Sequence, residues 1–312
     1  MINAAQIGEG IVHKAQNSFF YVKLKEEDVI VECKLRGNSK RFRREREIVI
    51  GDRVSISLLG SRKGVIERRL PRTRFLKRPM IANITQVVLT FAAAAPDLSK
   101  VLLNRFLILA ESSKIPKILI AINKSDLTTA TAESLAPYET IGYDILAVSA
   151  VTGKGIGVLK ARLEREMTVF AGPSGAGKSS LMNAMIPKLE RKTGNVSEKI
   201  KRGRHTTRAA ELIPFGTGWV VDTPGFSAVD IKDIHADTLP ELFPEFHSYL
   251  GKCRFQPCSH THEPDCAVKA ANCAVKMAVD DGKILLERYS AYLKMLAEIN
   301  VWKEKQRKRE YR

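Results

Sequence analysis

The chain has 312 residues, of which 44% are hydrophobic and 27% are charged, a composition typical of a folded protein with two or three domains. Residues 1–15 lack the apolar core of a signal peptide and no run is apolar enough to cross a bilayer, so we expect a cytoplasmic protein. The net charge of +17 indicates a polyanionic partner, and RNA or DNA is favoured over a membrane because no apolar anchor accompanies the charge.

Residues 1–70 are predicted to form a small barrel. Short strand patterns cover 10–15, 19–24, 29–35, 54–59 and 64–67, and Gly, Asn and Asp separate them. Five strands of this size favour an OB-type β-barrel, a fold that commonly binds oligonucleotides.

The same region carries most of the positive charge. Residues 1–80 contain 19 Lys and Arg against 9 Asp and Glu, and Lys40-Arg41-Phe42-Arg43-Arg44 adds an aromatic ring that could stack on a base. This segment is either an RNA-binding loop or a solvated basic loop. Residues 71–80 then form a basic linker broken by Pro71 and Pro79, which we take as a domain boundary.

A base-recognition motif follows in a predicted α/β domain at residues 81–230. After a strand at 86–91 and a helix at 98–111, the apolar strand 118–122 ends in Asn123-Lys124-Ser125-Asp126, an N-K-x-D pattern. The carboxylate of Asp126 can accept hydrogen bonds from guanine N1 and N2, a donor pair that adenine lacks. Asn123 and Lys124 would brace the loop and the base.

A second strand, at 145–148, ends in Ser149-Ala150. Here a backbone N–H could donate a hydrogen bond to guanine O6. The dipeptide is a weak signal alone and gains weight from its position after N-K-x-D.

A phosphate-binding loop lies between a strand at 167–170 and a helical run at 181–186. It reads Gly172-Pro173-Ser174-Gly175-Ala176-Gly177-Lys178-Ser179, followed by Ser180, and fits the G-x-x-x-x-G-K-[ST] pattern. The glycines let backbone N–H groups surround a polyphosphate, and Lys178 would reach the β and γ phosphates. Ser179 would offer its hydroxyl to Mg²⁺.

The strand 219–222 ends in a D-x-x-G pattern. Asp222 would hold a water on Mg²⁺ and the N–H of Gly225 would sense the γ phosphate. Either Thr206 or Thr207 could ligate Mg²⁺, and the sequence does not decide between them. We include Thr207 with Ser179 and Asp222 in the predicted magnesium set. Phe226 follows Gly225, where many small GTPases have a water-orienting Gln, so intrinsic turnover should be slow.

The order of these motifs is unusual. Ordinary GTPases carry the phosphate loop first and the N-K-x-D and Ser-Ala motifs last, whereas here the last two come first. A circular permutation can preserve such a site because parallel strands meet at one sheet edge whatever their order in the chain. The segment after D-x-x-G then leads directly into residues 231–312.

These last residues are predicted to form a small, mostly helical zinc-binding domain. Cys253-x₄-Cys258-x-His260-x₅-Cys266 supplies three thiolates and an imidazole, which suit one structural zinc ion. His262 and Cys273 are nearby substitutes.

The apolar positions Leu285, Tyr289, Tyr292, Leu296 and Ile299 predict a helix over 284–302. The basic tail 303–312 either contacts RNA or is solvated.

The chain resembles the ribosome small subunit-dependent GTPase A family over nearly its whole length: an N-terminal barrel, a permuted GTPase and a zinc segment occur in the same order. The resemblance implies a GTP hydrolase that binds the small ribosomal subunit and its rRNA late in assembly and turns over faster there. It favours His260 as the zinc ligand and makes His205 a candidate for completing the catalytic site. A structural role for His205 remains open.

We therefore expect GTP or GDP with Mg²⁺, one structural Zn²⁺, no membrane partner and a monomer when off the ribosome. The alternative is a nucleotide-gated RNA-binding module in which hydrolysis is incidental. A metabolic P-loop kinase is disfavoured because residues 123–126 would have no role in it.

Overall fold

The structure is a computed structural model that describes residues 7–16, 18–27, 29–35, 48–60, 62–77, 79–128, 130–186, 211–222, 230–261 and 273–310. Its first five strands are β1 (Ile7–Gln16), β2 (Phe19–Leu24), β3 (Ile30–Leu35), β4 (Arg53–Leu58) and β5 (Lys63–Arg69). They pair in the order β1-β2-β3-β5-β4, and β4 pairs back with β1. The barrel is therefore closed, around a core that includes Val12, Val22, Val31 and Ile56.

The predicted linker is folded. Residues Phe75–Lys77 (β6) and Met80–Ala82 (β7) pair as an antiparallel ribbon, and Ile81 is fully buried. Arg72 donates from Nε to the buried Asp52 carboxylate at 2.7 Å. These contacts attach residues 72–77 and 79–82 to the barrel and to the domain that follows.

The second part of the chain is a layered α/β domain. Its strands are β8 (Gln86–Ala92), β9 (Lys117–Asn123), β10 (Asp144–Ala147), β11 (Met167–Ala171), β12 (Glu211–Phe215) and β13 (Gly218–Asp222). They lie in the order β10-β9-β8-β11-β13-β12. The pairs from β10 to β13 are parallel, and β12 is antiparallel to β13.

The helices of this domain are α1 (Lys100–Ser112), α2 (Ala130–Glu133), α3 (Ala136–Ile141), α4 (Ile156–Leu163) and α5 (Lys178–Met185). They cover the sheet, and two apolar clusters form its core. All seven residues of β8 are buried. This explains why the strand is mostly apolar, since a parallel strand is covered on both faces. The carboxyl ends of β8, β9, β10, β11 and β13 share one edge, where a ligand is expected.

The barrel and the α/β domain share one continuous eleven-stranded sheet. The link is the pairing of β1 with β12, in which Lys14 is the partner of Glu211.

The last part of the chain is helical. In the described ranges it contains three short 3₁₀ helices, Ala236–Thr238, Pro240–Leu242 and Pro244–Phe246, followed by α6 (Ala274–Asp280) and α7 (Leu286–Glu310). Phe243, Phe246 and Tyr292 pack as an aromatic core, as the apolar spacing in the sequence predicts for Tyr292. The basic tail continues α7 as far as Glu310, whereas the predicted helix ends at residue 302.

A buried arginine fastens this part to the α/β domain. Arg288 of α7 has no exposed surface, pairs with Glu245 and donates from Nη1 to Asn104 Oδ1 of α1 at 2.9 Å. Asn104 Oδ1 also accepts from the hydroxyl of Tyr138 in α3. A buried charge that is fully paired in this way fixes the two parts in one arrangement.

The three-part fold class predicted from the sequence is confirmed: a closed barrel, a permuted α/β domain and a helical Cys/His region. None of the helices in the described ranges has the length and apolar character needed to cross a bilayer.

Candidate functional site

The side chain of Asn123 connects three predicted nucleotide-binding motifs. Its Nδ2 donates to the carbonyl oxygen of Ala176 in the phosphate loop at 3.0 Å, and its Oδ1 accepts from the N–H of Ala150 at 3.1 Å. The side chain is buried, with 2% of its surface exposed. The N-K-x-D loop, the Ser-Ala loop and the phosphate loop therefore meet at one place, although the first lies about fifty residues before the last in the chain.

The phosphate loop has the backbone that its glycines permit. Gly172, Gly175 and Gly177 have φ of +140°, +79° and +87°, values that favour glycine. A Cβ at Gly172 would lie 2.1 Å from the carbonyl oxygen of Thr90, and one at Gly177 would lie 2.2 Å from Asn123 Nδ2. These two positions leave no room for a side chain, since the neighbouring strand and the N-K-x-D loop approach so closely.

Lys178 lies at the start of α5, curled over this loop. Its Nζ donates to the carbonyl oxygens of Gly172 and Pro173, each at 2.8 Å. Burial lowers the pKa of Lys178, because a desolvated ammonium without an anion is disfavoured. A phosphate placed in the loop would supply the missing negative charge. Ser174 is exposed in the loop, and Ser179, which is also exposed, lies with Ser180 in the first turn of α5.

The N-K-x-D loop follows β9 directly. Lys124 has φ of +60° and its Nζ contacts the carbonyl oxygen of Ala95, in the loop between β8 and α1. Ser125 is buried and its N–H donates to the carbonyl oxygen of Val148 at 3.1 Å. The carboxylate of Asp126 is left exposed at the same sheet edge, where it can accept hydrogen bonds from a base.

The Ser-Ala loop is held by its own hydrogen bonds. The N–H of Ser149 donates to the carbonyl oxygen of Lys154 at 2.9 Å, and Ser149 Oγ accepts from the N–H of Thr152 at 3.1 Å. The contact to guanine O6 stays a prediction, and through Ala150 it would share an N–H with Asn123.

Sequence reasoning missed the loop of residues 93–96. Besides the contact to Lys124, Pro96 Cδ lies 3.3 Å from the position of a Cβ on Gly175, so this loop packs against the phosphate loop. The run Ala93-Ala94-Ala95-Pro96 carries no chemical signal, and only the neighbouring strands place it here.

The structure describes part of the predicted magnesium set. The backbone of Asp222 ends β13, directly opposite Glu211 of β12. His205, Thr206, Thr207 and Gly225 lie outside the described residues, as does Phe226. Their roles stay predictions, and so does the choice between the two threonines.

A second site lies in the helical region. The ligand atoms of Cys253, Cys258, His260 and Cys273 all lie within 4.8 Å of one another. Zinc bonds of about 2.3 Å to sulfur and about 2.05 Å to nitrogen, in a tetrahedron, place sulfurs about 3.8 Å apart and sulfur about 3.5 Å from nitrogen. The Sγ atoms of Cys253 and Cys273 are 3.9 Å apart, and each is 3.5 Å from His260 Nδ1.

The fit of this cluster to a metal rests on that geometry and on its chemistry. Burial raises the pKa of the Cys258 and Cys273 thiols, so the thiolates need a cation to stabilise them. Around the cluster, Tyr289 donates to the carbonyl oxygen of His260 at 2.6 Å and Tyr292 to that of Ser259 at 2.5 Å. Two side chains of α7 therefore fix the loop that carries the histidine.

The fourth position of the cluster is Cys273, which the sequence indicates only as a substitute. Cys266, the predicted ligand, and His262 lie outside the described residues, so the role of Cys266 stays a prediction. The basic segment Lys40 to Arg44 also lies outside them, and its contact with RNA is untested.

Two family models match the chain: the RsgA N-terminal domain over residues 9–66 and the RsgA GTPase over residues 60–232. A Small ribosomal subunit biogenesis GTPase RsgA of Clostridium perfringens is 46% identical over 294 residues, which are 93% of this chain and 98% of the relative. The protein of that name from Clostridium acetobutylicum is 43% identical over 298 residues, or 94% and 98% of the two chains.

Two solved structures agree with the fold. YjeQ from Thermotoga maritima matches with a TM-score of 0.79 and 36% identity, covering 94% of this chain and 99% of that one. YloQ, described as a circularly permuted GTPase, matches with a TM-score of 0.78 and 33% identity over 96% and 97% of the two chains. With this agreement over nearly the whole length, the chain belongs to the RsgA family of circularly permuted GTPases.

Proposed function

We propose that this chain is a GTP hydrolase that binds the small ribosomal subunit, acts in its late maturation and is stimulated by it. The observation that supports the nucleotide part is the hydrogen bond from Asn123 to Ala176, since it joins the N-K-x-D loop to the phosphate loop. The subunit is supported by the names of the relatives and by the net charge of +17, which suits an rRNA partner.

Each residue of the nucleotide site has a separate proposed role. Asp126 selects guanine, and the loop from Gly172 to Ser180 binds the phosphates with Lys178. Ser179, Asp222 and Thr207 would hold Mg²⁺, which neutralises charge on the β and γ phosphates. His205 is the candidate that completes the site for the attacking water, because Phe226 cannot orient it.

The Cys₃His cluster would hold one Zn²⁺ in a structural role. Four protein ligands leave no open position for a substrate, and the cluster connects the loop at 253–261 to the start of α6. The ion would stabilise the helical region. We infer further that the chain works as a monomer in the cytoplasm, where a ribosomal partner is found.

The experiment measures GTP turnover of the purified chain alone and with small subunits, large subunits or free rRNA. Small subunits should raise the rate by about tenfold or more, as expected when a partner completes a GTPase site, while large subunits and free RNA should not. Lys178→Ala, which removes the phosphate contact, is the control for contaminating hydrolysis.

Equal rates in all four conditions would contradict the proposal and support the nucleotide-gated binding module. His205→Ala tests the catalytic assignment separately: it should keep GTP affinity and lose stimulated turnover. Stimulated turnover that survives this change removes His205 from the mechanism.

A further inference from the structure

Three residues lie in one row across the sheet where the barrel meets the GTPase domain. Lys14 of β1 is paired with Glu211 of β12, and Glu211 is in turn directly opposite Asp222 of β13. Strands lie about 4.8 Å apart, so the barrel residue is only two strands from the residue expected to hold the magnesium ion. The row therefore joins the predicted RNA-binding part to the reaction site by backbone pairing.

Two side chains of this row, Lys14 and Glu211, form an ion pair. Lys14 Nζ is 3.3 Å from Glu211 Oε2. Both side chains are about a third or more exposed, so the pair adds at most about 1 kcal/mol to stability. The ion pair matters through its position, because it places a cation beside the Glu211 carboxylate, and Glu211 lies opposite the backbone of Asp222.

A β-bulge shapes the barrel side of the junction. The register of β1 against β2 shifts between Val12 and Lys14, which leaves His13 as the extra residue. Its ring stacks on Trp219 of β13, with 6.4 Å between ring centres. A bulge re-aims a side chain and bends its strand, and here it directs the buried His13 into the β12–β13 hairpin.

The hairpin is held at its other end by the GTPase domain. At the turn, the N–H of Thr217 donates to the carbonyl oxygen of Glu164 at 3.0 Å, and that of Trp219 to the carbonyl oxygen of Glu166 at 2.7 Å. The open end carries Glu211 and Asp222, and in the sequence Glu211 follows Thr207 by four residues. β13 is also paired with β11 as far as Val221, so displacement of β1 acts through β12 on the end of β13 that carries Asp222.

We infer that Lys14 and Glu211 are positioning residues for GTP hydrolysis: their contact transmits docking of the barrel on RNA to the position of Asp222. The inference rests on the proposed function and adds the route by which a bound partner reaches the site. It assigns no contact with the nucleotide to either residue.

The test is a charge-swap cycle on the full chain with Lys14→Glu, Glu211→Lys and the double variant. The readouts are the stimulated rate at saturating small subunit and the subunit concentration that gives half of it. Each single change should lower the saturating rate by about tenfold, within the range of ordinary coupling between sites. The double variant should return to within about threefold of the wild-type rate, and Lys14→Arg should keep it.

Lys25→Glu is the matched control, since Lys25 is an exposed barrel lysine beyond the end of β2 and outside the β1–β12 pairing. It should raise the half-saturating concentration as much as Lys14→Glu does, with the saturating rate unchanged. A Lys14→Glu variant that differs from the wild type only in the half-saturating concentration, or a double variant no better than the singles, overturns the inference and leaves the proposed function standing. A wild-type chain that subunits do not stimulate overturns both.

Discussion

Asn123 Nδ2 lies 3.0 Å from the carbonyl oxygen of Ala176, and this contact joins the two halves of the nucleotide site. Since Asn123 also accepts from Ala150, one amide holds three loops in register. A circular permutation moves the chain termini and leaves this contact in place, because it depends on the sheet edge and not on chain order.

Asn123→Ala should therefore weaken GTP binding by about tenfold to a hundredfold. The change leaves a carbonyl oxygen and an N–H without their partner, which costs about 1–3 kcal/mol. Titration with a fluorescent GTP analogue measures the loss. The control is Asn83→Ala, which removes another buried bridging amide at the barrel junction and should lower stability while GTP affinity stays the same. Equal affinities for the wild type and Asn123→Ala would show that the three loops hold their places without this side chain.

Asp126→Asn should exchange guanine for xanthine specificity. An asparagine amide offers one acceptor and one donor, which match the N1–H and the C2 carbonyl of xanthine and mismatch the two donors of guanine. GTP affinity should fall by about 10² or more, since unpaired polar groups at a recognition site are costly. Competition of XTP and GTP for the variant measures the exchange, with Asp97→Asn as an exposed control nearby. A variant that still prefers GTP would remove Asp126 from base recognition.

The nucleotide loops could be predicted from sequence because each follows an apolar strand and carries its own chemistry. Gly172 and Gly177 have the positive φ that favours glycine, and the chemistry of guanine predicts the role of Asp126. These signals are local. Together they define the permuted order of the motifs. Because parallel strands end at one sheet edge whatever their order in the chain, that order still predicts a single site.

Contacts made by tertiary pairing could not be predicted in this way. β12 is short and contains Pro214, which weakens its strand signal in the sequence, and its pairing with the barrel through Lys14 and Glu211 leaves no periodic signal. Arg288 looks like a surface residue of a polar helix, because nothing near it in sequence indicates Glu245 or Asn104. The hairpin β6–β7 is hidden by Pro79 and basic residues that resemble a linker.

The identity of the fourth metal ligand can be tested directly. Residues 266–269 and 273–276 both read Cys-Ala-Val-Lys, so local sequence cannot separate Cys266 from Cys273. Because the sulfur of Cys273 completes the cluster, Cys273→Ser should lower zinc affinity by more than the roughly 10–100-fold that loss of a supporting contact costs. Zinc content and chelator competition are the measurements, and Cys266→Ser is the matched control that should keep the ion. The reverse pattern would support Cys266, the ligand predicted from the sequence.

Arg288→Met should destabilise the fold by about 3–5 kcal/mol, because Glu245 would stay buried without its cation. Arg288 Nε and Nη2 lie 2.6 and 3.2 Å from the two Glu245 oxygens. Adding Glu245→Leu should recover part of the loss, since an apolar pair can replace a buried ion pair. Urea unfolding of both single variants and the double gives the coupling. Additive losses would mean that the two side chains act independently.

Stability should depend on pH through His13. Burial lowers the pKa of His13 from 6.5 although Glu211 raises it, and Lys14 and Lys23 lower it further. Between its lowered pKa in the folded chain and about 6.5, the unfolded chain therefore binds more protons than the folded chain. The free energy of unfolding falls as the pH is lowered through that window, by at most about 1.4 kcal/mol per pH unit for one group. His13→Gln should lose that share of the slope, and unfolding of both chains at pH 7.5, 6.5 and 5.5 isolates it from the other histidines. Parallel pH profiles for the two chains would show that His13 keeps its ordinary pKa in the folded protein, so its burial against Trp219 would not hold in solution.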